Sequence, residues 1–87
     1  MQTIYELLKK IQWDPDEHPE EYSVFYFDRV KKRLVEVTYE DIVDVQDGVM
    51  IVNMFEEEVD IPLHRVREVR RSGKLIWQRP KSEVDYD

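Results

Sequence analysis

Pro62-Leu63-His64-Arg65 sets a histidine and an arginine directly after a proline. A proline at this place suits the start of a short helical turn, whose first N–H groups have no intrahelical partners and can be aimed at an anion. His64 and Arg65 would add side-chain donors to them. Arg29, which follows Asp28, offers a second planar fork matched to two phosphate oxygens. Asp28 would then accept from a ribose or base donor, or orient Arg29. Tyr26, Trp13 and Trp77 are the aromatic side chains that would stack an unpaired base wherever they reach solvent. The competing assignment is structural: aromatics in the core, and Asp28-Arg29 as a salt-bridging strand end.

Other chemistries find little support. Gly48 and Gly73 are the only glycines, so neither a phosphate-binding loop nor a dinucleotide fingerprint can be built. None of Ser23, Ser72 and Ser82 stands in a nucleophile-elbow pattern. There is no cysteine, which removes disulfides, thiolate metal sites and thiol catalysis. Asp14, Asp16 and His18 begin like a calcium loop, but Pro19 stands where the sharp turn needs glycine and Phe25 where a bidentate Glu belongs. Two histidines without cysteine do not make a zinc site unless several carboxylates join them. No metal and no cofactor is expected. Paired histidines can run phosphoester chemistry, yet His18 and His64 share no motif.

The elements that must position these residues are short. Ile4, Leu7, Leu8 and Ile11 follow a helical spacing, with Thr3 as N-cap, Glu6 three residues on, and Lys9 and Lys10 near the C-terminal end. Pro15 and Pro19 end that helix in an acidic loop. Residues 22–39 predict a hairpin with a turn near Val30–Arg33; Tyr22, Val24 and Tyr26 share one face, Phe25 and Phe27 the other, both at least partly covered. Thr38–Asp41 resembles a single helical turn. Asp47-Gly48 predicts a tight turn between two strands, after which the acidic residues 56–60 close that unit. Val66 and Val69, three apart, suit a short helical or 3₁₀ turn after Pro62 rather than a strand from the outset. Ser72-Gly73 marks a last hairpin, with Leu75, Trp77 and Arg79 on one side of its final strand. The expected fold is α+β: an N-terminal helix on a strongly bent, mainly antiparallel sheet of five to six short strands, with a small, partly open barrel as one form of it. Residues 1–80 are read as one domain and 81–87 as a polar acidic tail.

Charge is unevenly placed. Between His64 and Lys81 lie seven Lys/Arg and one acid, Glu68, in a chain of net charge −7. Overall acidity opposes indiscriminate binding to a polyanion but leaves room for a local cationic site. No apolar run approaches the roughly 18 residues of a membrane helix, and the N-terminus lacks the order of a signal peptide. The chain is read as soluble and cytoplasmic.

Three ordered blocks carry a family resemblance. They are Leu8, Ile11, Trp13 and Asp14; Tyr26, Asp28 and Arg29; and Ile61, Pro62, His64, Arg65 and Val66, followed by Gly73, Trp77 and Arg79. Over residues 4–79 the chain resembles the RNA cyclic-group end-recognition domain, also called the RNA repair domain, which is widespread in archaea and found fused to RNA-processing enzymes. The resemblance implies recognition of RNA 3′ ends that carry a 2′,3′-cyclic phosphate or a phosphate, as an accessory to an RNA repair or processing enzyme. It implies phosphate or RNA contacts by Arg29, His64, Arg65 and Arg79, with Trp13, Asp14, Tyr26, Asp28 and Trp77 supporting or stacking. Arg67, Arg70 and Arg71 are expected to form a solvated rim that draws RNA in. Two other functions compete: a protein-interaction adaptor that docks through its acidic loop and basic hairpin, and a weak RNA phosphoesterase using His64. The oligomeric state is left open.

Overall fold

The computed structural model describes residues 3–80; the tail expected at 81–87 lies outside them. Helix α1 spans Ile4–Trp13, with Ile4, Leu7, Leu8 and Ile11 buried, as their spacing requires. The Thr3 hydroxyl oxygen accepts from the Glu6 N–H at 3.1 Å, and the hydroxyl donates to the Glu6 carboxylate at 3.0 Å. The helix stops at Asp14, whose carboxylate turns back to accept from the Asp16 N–H at 2.9 Å.

Among the described residues seven strands follow: β1 (Tyr22–Asp28), β2 (Arg33–Thr38), β3 (Ile42–Gln46), β4 (Val49–Met54), β5 (Glu57–Pro62), β6 (Val66–Arg71) and β7 (Lys74–Gln78). They form a four-stranded sheet in the order β2-β1-β6-β7 and a three-stranded sheet in the order β3-β4-β5, every pairing antiparallel. Single 3₁₀ turns at Pro19–Glu21, Tyr39–Asp41 and Leu63–Arg65 link the elements. The α+β class holds, as two separate sheets rather than one closed surface. Leu7, Leu8 and Ile11 of α1, Val24 and Val69 of the larger sheet, and Met50 of the smaller one meet in a shared core. The buried Tyr39 hydroxyl donates to the Leu8 carbonyl at 2.8 Å, tying α1 to the turn between the sheets.

Three local expectations need correcting. Residues 57–62 are a strand, not merely an acidic closing segment. Of β5 only Ile61 is buried, so alternation gives no warning of it. Its turn from β4 is made by Phe55 and Glu56, both at positive φ (51° and 66°) without Gly or Asn. The 3₁₀ turn expected after Pro62 is present at Leu63–Arg65, but Val66 and Val69 themselves lie on β6 and are both buried although three apart, because a bulge in the β1–β6 ladder inserts Arg67: Tyr26 pairs with Val66 and Phe25 with Glu68. A second irregularity, between Val69 and Arg70, breaks the alternation expected along β7. Trp77 packs on the core, whereas Leu75, opposite Arg70, is 42% exposed.

Candidate nucleic-acid interface

The β1–β2 turn contains no glycine, and Asp28 explains how it closes. One Asp28 carboxylate oxygen accepts from the Val30 and Lys31 N–H groups at 2.9 and 3.0 Å, while the Asp28 carbonyl accepts from the Lys32 N–H at 2.8 Å. Lys32 takes the positive φ (58°) that a glycine would otherwise supply. The Lys31 N–H, helped by that of Val30 and by the charges of Lys31 and Arg33, holds the Asp28 carboxyl below its usual range. Arg29 is thereby displayed, exposed, at the start of the turn.

The Leu63–Arg65 turn is built differently. Leu63 is buried, His64 is exposed and Arg65 is half-buried. The turn is clamped from the end of the chain's last strand: Arg79 donates from Nε to the Val66 carbonyl and from Nη2 to the Leu63 carbonyl, both at 2.8 Å, with its guanidinium 5.3 Å from the centre of the Trp77 ring.

Residues of both turns meet the same groove. It has a volume of about 270 Å³ and is lined by residues 26–29 at the end of β1, residues 59–62 of β5, and Arg65. It unites Arg29 and Arg65, which are distant in sequence, and adds Tyr26 and Asp28. Asp60 also lines it, so two arginines share the groove with two aspartates. A larger cavity of about 360 Å³ is lined by residues 36–38, Asp41 and residues 52–55; it holds Glu36 and Asp41 but no cation and is the poorer place for an anion.

The fold also sorts charge by sheet. Residues 22–38 and 63–79, which form the four-stranded sheet and its turns, carry ten Lys/Arg against three Asp/Glu, a charge of +7; residues 39–62, which hold the other sheet, carry eight Asp/Glu and no Lys/Arg, a charge of −8. The groove opens where the two regions meet, with both arginines contributed by the cationic one.

With that geometry in place, comparison with known proteins decides the family. A model of the MJ1316 RNA cyclic group end recognition domain matches residues 1–79. The chain belongs to this family. A UPF0248 protein of Metallosphaera sedula is 36% identical over 77 residues, covering 88% of this chain and 92% of the relative. UPF0248 proteins of Pyrococcus abyssi (31% over 80 residues; 91% and 92% covered) and Methanopyrus kandleri (34% over 67 residues; 76% and 85%) are also similar. No solved structure matches the chain.

The other candidate residues considered from the sequence are not all gathered at the groove. His64 does not line the groove. His18 lies in the acidic loop, 3.6 Å from Glu20. Tyr26 lines the groove, but its residue is only 8% exposed and its hydroxyl points at Met54 Sδ, 3.9 Å away; burial, then the nearby Asp28, raises its pKa. Trp77 is packed against the core, and Trp13 is 74% exposed at the end of α1. Among the described residues no group of three or more His, Asp or Glu is placed to hold a metal ion, and no helix is long and apolar enough to cross a membrane.

Two aromatics that were not singled out as stacking residues stand out instead. Phe25 and Phe27 alternate with the buried Val24 and Tyr26 on β1 and belong neither to the core nor to the side chains packed against it. The Arg70 guanidinium lies 5.6 Å from the Phe25 ring centre and that of Arg67 5.3 Å from Phe27. Phe27 also lines the groove. The sequence signal for them was the period of two along β1, which separates both rings from the buried Val24 and Tyr26.

Proposed function

We propose that this domain binds RNA 3′ ends bearing a 2′,3′-cyclic phosphate in the groove between the Asp28–Arg33 and Leu63–Arg65 turns, as a non-catalytic module serving an RNA repair or processing enzyme. The observation that carries this is the convergence of Arg29 and Arg65 on one groove, in a chain whose family is described by cyclic-group end recognition. Charge matching favours the cyclic end. A cyclic phosphate bears a single negative charge and two non-bridging oxygens, whereas a terminal phosphate bears about −1.5 to −2 at neutral pH. Two guanidiniums diluted by Asp28 and Asp60 suit the smaller charge. In this scheme Arg29 and Arg65 each hold phosphate oxygens, Asp60 accepts from a base amine, and Asp28 keeps the turn closed. Arg79 supports the turn that presents Arg65 and makes no direct contact with the phosphate.

The test is a titration with short oligonucleotides that differ only in a cyclic phosphate, 3′-phosphate or 3′-hydroxyl end. The cyclic end is expected to bind most tightly, with no opened product formed. Arg29→Ala and Arg65→Ala are each expected to weaken binding about 10- to 100-fold, the value of one charge-assisted hydrogen bond at roughly 1.5–3 kcal/mol, while thermal stability stays nearly unchanged. Equal affinity for all three ends, or unchanged binding by both variants, refutes the proposal.

A further inference from the structure

The outer face of the four-stranded sheet has an unusual composition. An antiparallel sheet with one face in water ordinarily presents polar side chains there. Here the central strand β1 carries Phe25 and Phe27, both half-buried and each beside a guanidinium. Leu34, opposite Phe27, is 43% exposed, and Leu75, opposite Arg70, is 42% exposed. The core lies on the opposite side, with Val24, Tyr26 and Val69. These rings sit on the sheet whose residues and turns carry a charge of +7, and Phe27 also lines the groove that holds Arg29 and Arg65.

We infer that this face is a stacking platform for the nucleotides that precede the RNA end, so that the ligand is a single-stranded tail of at least three nucleotides rather than a terminal group alone. The inference rests on the groove holding the 3′ end. The terminal nucleotide fills the groove, the next base lies at Phe27 and Arg67, and the third lies at Phe25 and Arg70, with the 5′ direction running toward the N-terminal end of β1. Alternate residues on a strand are about 6.6 Å apart, which gives each ring its own base. Arginine planes stack bases as aromatic rings do, so a base can lie on the guanidinium or take its place over the ring. Glu36 and Glu68 flank Phe25 across the strands. Glu68 is paired with Arg70 at 2.7 Å, and both carboxylates can accept from the exocyclic amines of adenine or cytosine. The phosphates then pass along the cationic margins of the sheet.

The experiment is a length series of RNAs of one, two, three, four and six nucleotides, each ending in a cyclic phosphate and, in parallel, a 3′-hydroxyl. Wild-type affinity is expected to rise about tenfold for each of the second and third nucleotides, about 1.4 kcal/mol per stacked base, and then to level off. Phe25→Leu keeps an apolar side chain but no ring; it is expected to lose about tenfold on the trimer while binding the mononucleotide cyclic phosphate as wild type does. In the unsubstituted protein, the Phe25 ring protons are expected to shift upfield on trimer binding, a readout that does not depend on the variant folding. A flat length series with end preference retained overturns the platform and leaves the end reading standing. A rising series that depends on Phe25, but with no preference between ends, supports the platform and refutes the end reading. Concentration-dependent dimerisation that Phe25→Leu abolishes, without any length effect, assigns the face to a second copy of the chain and overturns the inference.

Discussion

Arg79 is where a charge suggestive of RNA binding and the observed contacts diverge most clearly, and its removal can be worked through. Its guanidinium bridges the carbonyls of Leu63 and Val66, which flank the turn that presents Arg65. Hydrogen bonds from a charged donor contribute roughly 1.5–3 kcal/mol each. Because the side chain is only half-buried, half of that is a reasonable share for each bond. The contact with Trp77 adds about 0.5–1 kcal/mol. Arg79→Ala is therefore expected to cost about 2–4 kcal/mol, a large part of the roughly 4–12 kcal/mol that a domain of this size holds. For a domain this small, each kcal/mol moves the Tm by about 4–8 °C, so a fall of about 8–32 °C is expected in a thermal melt. Arg79→Lys keeps the charge but cannot span both carbonyls, and is expected to recover less than half of the loss. The deficit should be the same from pH 5 to pH 9, since a guanidinium does not titrate there. If Arg79→Ala melts within about 3 °C of wild type and yet loses RNA binding, the clamp is wrong and Arg79 is a ligand contact.

The other predictions concern stability. Tyr39→Phe removes the hydroxyl that donates to the Leu8 carbonyl and is expected to cost about 1 kcal/mol at pH 7 by chemical denaturation. Burial pushes the Tyr39 phenol up to about 12, from 10.0 in the unfolded chain, so the folded state keeps a proton that the unfolded state releases. That contribution is intact below pH 10 and is lost as pH climbs toward 12. The variant should therefore show a shallower alkaline decline than wild type, and parallel declines would refute the assignment. Phe55→Asn combined with Glu56→Gly is expected to stabilise by about 1 kcal/mol and raise the Tm by about 4–8 °C. Both positions hold positive φ, where ordinary side chains are strained, and the 94% exposed Phe55 gives up little contact. An unchanged or lower Tm would show that the turn is not strained.

Several features were legible in the residues alone. The helical spacing of Ile4, Leu7, Leu8 and Ile11, the Asp47-Gly48 and Ser72-Gly73 turns, and the alternation along β1 each encode an element within its own few residues. The ordered blocks around Trp13, Tyr26-Asp28-Arg29 and His64-Arg65 pointed to the family that the comparisons then showed. Strand β5 was hidden because it buries only Ile61, so water on nearly all of its length erases the periodic signal. The Val66–Val69 spacing looked helical because a bulge adds one residue to a strand, and a bulge belongs to a pair of strands, not to one segment.

By itself, then, the sequence determined helix α1, the hairpins closed at Asp47-Gly48 and Ser72-Gly73, which residues are cationic or aromatic, and to which family the chain belongs. Tertiary structure alone decided what those side chains do. Arg29 and Arg65 face one groove only because residues distant along the chain fold against each other, whereas Arg79 reaches back to carbonyls 13 and 16 residues away and serves the fold. Tyr26 and Phe27 are neighbours on one strand, yet one is buried and the other lies on the face turned away from the core. The physical reason is common to all of them. A local pattern shows that two faces differ, but the neighbour that covers one face, or the carbonyl that captures a guanidinium, comes from elsewhere in the chain.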